Sequence, residues 1–235
     1  MALPELNTAR YQVNIPSTGQ TVAYRPYLVK EEKILMMAME SNDTKVIMKT
    51  TTDVIKTCIY DDIDVDNLTM FDIESLFLAL RSKSVGEKID LKMKCDGCEH
   101  GNEVQVDFED IKPPVINHEE KKVMLTDAVG VMLKYPSVKD IDRLSNMGSD
   151  EFESAMAMVI ACIDTIFDEE GVYNTKDEPR ESVEGFLNNL SSGQFKKISS
   201  FFDQIPTLTH DIEYKCIKCG KENEIELRGL QSFFT

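Results

Sequence analysis

Six cysteines occur in the chain, and four of them form two Cys-x-x-Cys pairs, Cys95/Cys98 and Cys216/Cys219. A thiolate is a soft anionic ligand, and four of them match the charge, softness and tetrahedral number that zinc takes in structural sites. A two-residue gap inside a turn lets both sulfurs face one ion. Each pair is therefore half a site, and two pairs complete it. The predicted chemistry is structural binding of Zn(2+), and no catalytic residue is assigned. Competing readings are a cysteine-rich turn without metal, a pair of disulfides, or a redox centre. The redox reading lacks the strand–CxxC–helix setting that such centres use. His100 and His210 lie just outside the turns, where either could replace a thiolate, but four cysteines already fill the site. Cys58 and Cys162 are isolated, Cys162 on the most apolar predicted helix, and both are expected in the core.

The segments that carry the pairs also match each other. IDLKMKCDGCEHGNEVQVDF (residues 89–108) aligns with DIEYKCIKCGKENEIELRGL (residues 211–230). Each alternates into the cysteine turn and alternates out again, with Val104, Val106 and Phe108 on one face and Ile225 with Leu227 as the shorter counterpart. Each copy reads as a β-hairpin. Their separation predicts an α+β protein in which a zinc-ribbon-like knuckle is built around a predominantly helical insertion. The expected organisation is an N-terminal hairpin and helical region at 1–88, a discontinuous knuckle at 89–111 plus 209–231, and the insertion at 112–208. On this reading, metal closure brings the hairpins together.

The remaining elements must hold that knuckle. YQVNIPSTGQTVAYRPYLV has two extended runs around Pro16, Ser17, Thr18 and Gly19, which predicts an N-terminal hairpin, and Pro26 discourages a central strand. Helices are expected over 29–40, 44–58 despite its threonines, and 69–80, where Thr69 with Asp72 resembles a cap. Further helices are expected over 122–134, ending before Pro136, over 152–167, around Val183 to Leu190, and from Phe195 to Pro206. Burying one large side chain contributes roughly 1.5–3 kcal/mol, so these apolar faces specify a helical layer or small bundle.

Composition narrows the function. The chain has 235 residues, 42% of them hydrophobic, enough for a real core. Lys plus Arg number 26 against 42 Asp plus Glu, and the net charge of -16 argues against broad binding to a phosphate backbone. Residues 1–16 have no signal-peptide pattern, and 152–167, with Glu153, Asp164 and small residues, falls short of a membrane span, so no membrane association is expected. DDIDVDN (61–67) is a near miss for a calcium loop, with Asn67 and Ile73 where glycine and glutamate belong. A solvated loop is the plainer reading. Asp168, Glu169 and Glu170 are read as a solvated helix end. His118 lacks the second histidine of HExxH, and no phosphate loop or nucleophile elbow occurs. Met36, Met37 and Met39 fill a core or form an adaptable helix surface for another protein. Phe233 and Phe234 dock on the core or anchor in a partner.

Residues 11–41 carry a more specific signal: Ile15-Pro16-Ser17-Thr18-Gly19, then Arg25-Pro26-Tyr27, then Val29-Lys30-Glu31-Glu32-Lys33-Ile34-Leu35, with Glu40-Ser41 closing the helix. This run resembles the T4-type bacteriophage baseplate protein family, and within it the hub assembly proteins of contractile-tailed phages. The resemblance implies a viral protein made in the infected bacterial cytoplasm, with other baseplate hub proteins or a second copy as partners. It would act as a hub component, retained in the virion, or as an assembly chaperone, and no catalytic residue is implied. Arg25, Pro26, Lys30, Glu31, Glu32 and Lys33 become candidate partner contacts, the alternative being a hairpin-to-helix junction with ordinary surface charges. Two other functions compete: a zinc-ribbon nucleic-acid adaptor using Lys92, Lys94, Lys215, Lys218 and Lys221, and an enzyme without a recognisable motif.

Overall fold

The computed structural model describes residues 7–112, 116, 121–145 and 151–229. His118, Phe233 and Phe234 lie outside these. The chain divides into two units, Met1–Val115 with Thr207–Thr235, and Ile116–Pro206.

In the first unit, β1 (Tyr11–Asn14) and β2 (Thr21–Tyr24) form the expected antiparallel hairpin, from Tyr11↔Tyr24 to Asn14↔Thr21. Gly19 takes φ +70° in its loop, a conformation that costs a residue without a Cβ little. Three helices follow at the expected places: α1 (Val29–Glu40), α2 (Thr44–Cys58) and α3 (Met70–Ser84). The threonines of α2 survive in a helix because Thr51 and Thr52 donate their hydroxyls to the Ile47 and Met48 carbonyls, at 2.8 and 3.0 Å. That leaves both side chains satisfied although buried. Thr69 caps α3 as its sequence suggested. Asp72 accepts from the Thr69 amide and hydroxyl at 3.0 and 2.6 Å, and its other oxygen accepts from the Ser17 amide at 2.8 Å. One buried carboxylate therefore ties the first hairpin to the start of the central helix. Phe71, Ile73, Leu76, Phe77 and Leu80 make α3 apolar on nearly all sides, the pattern of a helix at the centre of a core.

The candidate calcium loop is occupied otherwise. Asp61 accepts the Ala23 amide, Asp64 accepts from the Asn67 side chain, and Asp66 pairs with Lys56 at 2.8 Å. The first unit is completed by two longer hairpins, β3 (Lys88–Lys94) with β4 (Gly101–Asp107), and β9 (Thr209–Lys215) with β10 (Glu222–Arg228).

The second unit departs from expectation in several places. Residues 122–134 are not a helix but a hairpin, β5 (Lys122–Met124) and β6 (Gly130–Leu133). The hydroxyl of Thr126 accepts the Ala128 and Val129 amides at 3.3 and 2.9 Å, turning the chain within what read as helical spacing. Gly130 has a packing reason as well: a Cβ there would lie 2.3 Å from Phe167 Cζ. The long stripe at 152–167 also splits. Helix α5 (Glu151–Cys162) stops where a branched, strand-favouring run begins, and β7 (Ile163–Phe167) pairs with β6 and with β8 (Val172–Asn174). Asp168 to Glu170 consequently form a hairpin loop, not a helix end. The Asp168 carboxylate accepts the Glu170 and Gly171 amides, each at 2.9 Å. The four strands run β5-β6-β7-β8, all antiparallel, beside α4 (Val138–Ser145), α6 (Arg180–Asn188) and α7 (Ser192–Asp203). The insertion is thus mixed rather than a helical bundle. Lys197 of α7 donates to the Met124 and Leu125 carbonyls at 3.0 and 3.3 Å, and Tyr135 stacks on Phe201. Among the described residues no helix is long and apolar enough to cross a membrane.

Candidate metal centre

The two long hairpins are built alike. β3 pairs with β4 from Lys88↔Asp107 to Lys94↔Gly101, and β9 with β10 from Thr209↔Arg228 to Lys215↔Glu222. Alternation buries Ile89, Leu91 and Val106 in one and Ile212 and Leu227 in the other. Each tip reverses through the same hydrogen bonds. The Cys95 amide donates to the His100 carbonyl and the Glu99 amide to the Cys95 carbonyl; in the second copy Cys216 donates to Lys221 and Gly220 to Cys216.

Glu99 and Gly220 occupy equivalent corners in the left-handed region, at φ 56° and 74°. A side chain there costs about 1–2 kcal/mol, part of which glycine's greater freedom in the unfolded chain offsets. Glu99→Gly should therefore raise the unfolding free energy by about 0.5–1 kcal/mol. Urea unfolding of the two proteins checks this, and a midpoint that does not rise contradicts it.

These turns bring all four predicted cysteines together. Their sulfurs lie within 4.8 Å of one another, the cluster that Cys95, Cys98, Cys216 and Cys219 form. Cys95 Sγ is 3.6 Å from Cys219 Sγ, and Cys98 Sγ is 3.7 Å from Cys216 Sγ. A disulfide needs about 2.05 Å, so these contacts are not bonds. A tetrahedron of sulfurs about 2.3 Å from zinc has edges of about 3.8 Å, and the two closest sulfur pairs match that edge. The cluster is thus positioned to chelate a metal ion. Cys95 and Cys216 are buried, Cys98 is half-buried and Cys219 is exposed, which leaves an approach from the Cys219 side.

The electrostatics favour the same use. Hydrogen bonds from the Gly97 and Cys98 amides hold the Cys95 thiol below its ordinary value against burial, and amides of Cys219 and Lys218 bring Cys216 down to about 6. At Cys98 the His100 amide lowers the value, but burial and the three neighbouring thiols outweigh it and push it up to about 11. Each thiolate formed makes the next harder to form, a penalty that a divalent cation reverses. The isolated Cys58 and Cys162 are both core residues, and burial pushes their thiols up to about 11 and 12. His100 enters the site through its backbone.

Two residues that sequence reasoning passed over sit behind the cysteines. Asn102 and Asn223, each seven positions after the first cysteine of its pair, are buried and bond across the hairpins. Asn102 Oδ1 accepts from the Ile217 amide at 3.0 Å, and Asn223 Oδ1 from the Asp96 amide at 3.1 Å. Their identical place in the two copies was the available signal.

The candidate contact residues divide. Arg25 and Glu31 are turned inward and paired at 2.9 Å, whereas Lys30 and Lys33 are exposed and Pro26 and Glu32 are half-buried. Around them, Leu28 just before α1 and Val29, Ile34, Met36 and Met37 on it are large apolar side chains left exposed.

Comparison with known proteins adds independent findings. A family model described as T4 bacteriophage base plate protein matches residues 8–235. The baseplate hub assembly protein gp26 of Enterobacteria phage T4 is 22% identical over 225 residues, an alignment spanning 95% of this chain and 97% of that relative. No solved structure gives a significant match.

Proposed function

We propose a function from one premise: this chain belongs to the T4 bacteriophage base plate protein family. On that premise it is a non-enzymatic component of the tail baseplate hub, or a chaperone for its assembly. It works in the infected bacterial cytoplasm by binding other hub proteins. The observation that carries this reading is the near full-length alignment with a relative named as a baseplate hub assembly protein.

The four cysteines would hold a structural zinc ion, closing the two hairpins into a zinc-ribbon-like knuckle. Sulfur spacing and an all-thiolate donor set support zinc over hard, oxygen-seeking cations. Bound there, zinc would supply cross-linking and charge neutralisation; all four positions are filled by protein, which suits a structural site and leaves none for a substrate.

The outer face of α1 is the best-supported partner surface. Val29, Ile34, Met36 and Met37 are exposed, Met37 by 71%, and Lys30 and Lys33 are interleaved with them. A face rich in methionine adapts to an apolar partner, and Lys33 suits acidic groups at its rim, whereas Lys30 already lies 3.5 Å from the Glu31 carboxylate. The nucleic-acid alternative is weakened by the hairpin register, because Lys92 stands opposite Glu103 and Lys215 opposite Glu222. Each pair cancels the charge that a phosphate would need.

The test is capture of the individual hub proteins of the same phage by the purified chain and by its Ile34→Glu/Met37→Glu variant. Capture by the native chain, weakened at least tenfold in the variant with an unchanged melting temperature, is expected. Salt-sensitive binding to nucleic acid, with none to hub proteins, would transfer the assignment to the adaptor.

A further inference from the structure

We propose that Asn102 and Asn223 are a reciprocal pair of positioning residues that dock the two hairpins before metal binds, so that the four-cysteine cluster is pre-formed. The proposal rests on the metal reading of that cluster and adds an order of events: the protein makes the site, and the ion then occupies it.

Both carboxamides are nearly sealed from water, with Asn102 2% and Asn223 5% exposed. A primary amide buried without partners is strongly unfavourable, so the bonds it makes there are the reason it can be buried. Each amide is used at both ends. Asn102 Oδ1 accepts the Ile217 amide of the opposite turn, while its Nδ2 donates to the His100 carbonyl of its own turn at 2.9 Å. Asn223 repeats the pattern, accepting the Asp96 amide of the opposite turn and donating to its own Lys221 carbonyl at 3.0 Å. Exchanging oxygen and nitrogen would set donor against donor and acceptor against acceptor at both residues, so one orientation satisfies the network.

The atoms joined are informative. Asp96 follows Cys95 and Ile217 follows Cys216, the two buried ligand candidates. The His100 and Lys221 carbonyls also accept the Cys95 and Cys216 amides. Each asparagine therefore braces the backbone around the first cysteine of its own turn and grips the residue beside the first cysteine of the other. Tyr214 Oη adds a third link between the hairpins, donating to the Lys94 carbonyl at 2.8 Å. None of these bonds involves a sulfur or requires an ion. Hydrogen-bonding partners behind metal ligands commonly change affinity by about 10- to 100-fold when removed, because the ligands must then be ordered at the moment of binding.

The experiment uses the full chain after treatment with EDTA. Amide hydrogen exchange in the metal-free native protein should show Asp96 and Ile217 protected. Cobalt(II) alone then serves as the probe in a titration followed by its thiolate charge-transfer and tetrahedral ligand-field absorption. Asn102→Ala and Asn223→Ala should each weaken cobalt binding about tenfold, and the double variant about 100-fold, with the same final spectrum. Rapid exchange at Asp96 and Ile217 until cobalt is added would overturn the proposal, as would variants that bind cobalt as tightly as the native chain. If the alanine variants do not fold, the exchange measurement on the native chain decides. A native chain that binds no cobalt would remove the metal reading instead, and protected Asp96 and Ile217 amides in that same sample would still support the docking role.

Discussion

Cys216→Ser should leave the purified protein without stoichiometric zinc and lower its unfolding free energy by about 4 kcal/mol when zinc is present at roughly a thousand times the native dissociation constant. Serine keeps the size of the side chain but cannot offer a thiolate. Amide hydrogen bonds from its own turn bring Cys216 down to about 6, so a thiolate forms there readily. The loss should depend on conditions. In chelator the native and variant chains should differ by only about 1 kcal/mol, because the asparagine and tyrosine bonds between the hairpins do not use the sulfur. Elemental analysis and urea unfolding, each with and without chelator, measure both quantities. Native protein carrying no zinc, or a variant equally destabilised in both buffers, contradicts the expectation.

Glu31→Ala should destabilise the first unit by about 3 kcal/mol, through charge and backbone together. Glu31 and Arg25 side chains are only 5% and 13% exposed and are paired at 2.9 Å. Removing the carboxylate leaves the guanidinium charge without its ion partner, held only by the Pro26 and Thr57 carbonyls, and breaking a largely buried pair from one side is strongly destabilising. Glu31 Oε2 also accepts the Leu28 amide at 2.7 Å, serving the start of α1 where leucine offers no side-chain acceptor. Glu31→Gln keeps an acceptor for that amide and should lose about half as much. Burial alone would raise the Glu31 carboxyl, but Arg25 and the Leu28 amide outweigh it and hold it below the usual carboxylate range. A depressed folded value means that this stabilisation is present above the unfolded carboxyl pKa and is lost as pH falls through the folded one. The difference between native and Glu31→Gln proteins should accordingly shrink in acid. Thermal or urea unfolding across pH tests this, and a gap that widens on acidification refutes it.

The same pair shows why a motif read along the chain is ambiguous. Arg25 and Glu31 belong to the segment that carried the family resemblance, where charged residues suggest partner contacts. Their internal bonds give them a structural duty, while Lys30 and Lys33, in the same run, remain exposed. Which charges face inward depends on the rotation of α1 against its neighbours.

Local patterns were legible where one short-range preference dominated. The cysteine hairpins followed from alternation and the repeated turn, and α1, α2 and α3 from apolar spacing and the Thr69–Asp72 cap. They were misleading where two periods overlapped. Leu125, Val129, Met132 and Leu133 fit a helix face, yet Val131 and Leu133 are the buried side of a strand. The choice fell to the strand because Gly130 lies under the Phe167 ring and β6 finds β7 far along the chain. The Phe152–Phe167 stripe failed for the same reason at Ile163, whose strand partners are absent from any local window.

By itself, then, the order of residues determined the four clustered cysteines, the hairpins that present them, the first three helices and the family. Those are properties of neighbours within a few positions, or of a repeat that can be laid on itself. Tertiary structure alone decided that Asn102 meets Ile217 and Asn223 meets Asp96, that Glu31 is turned onto Arg25, and that residues 122–134 become strands. Each of these depends on a donor, acceptor or edge supplied from elsewhere in the chain, and a buried polar group or open strand settles only where such a partner is found.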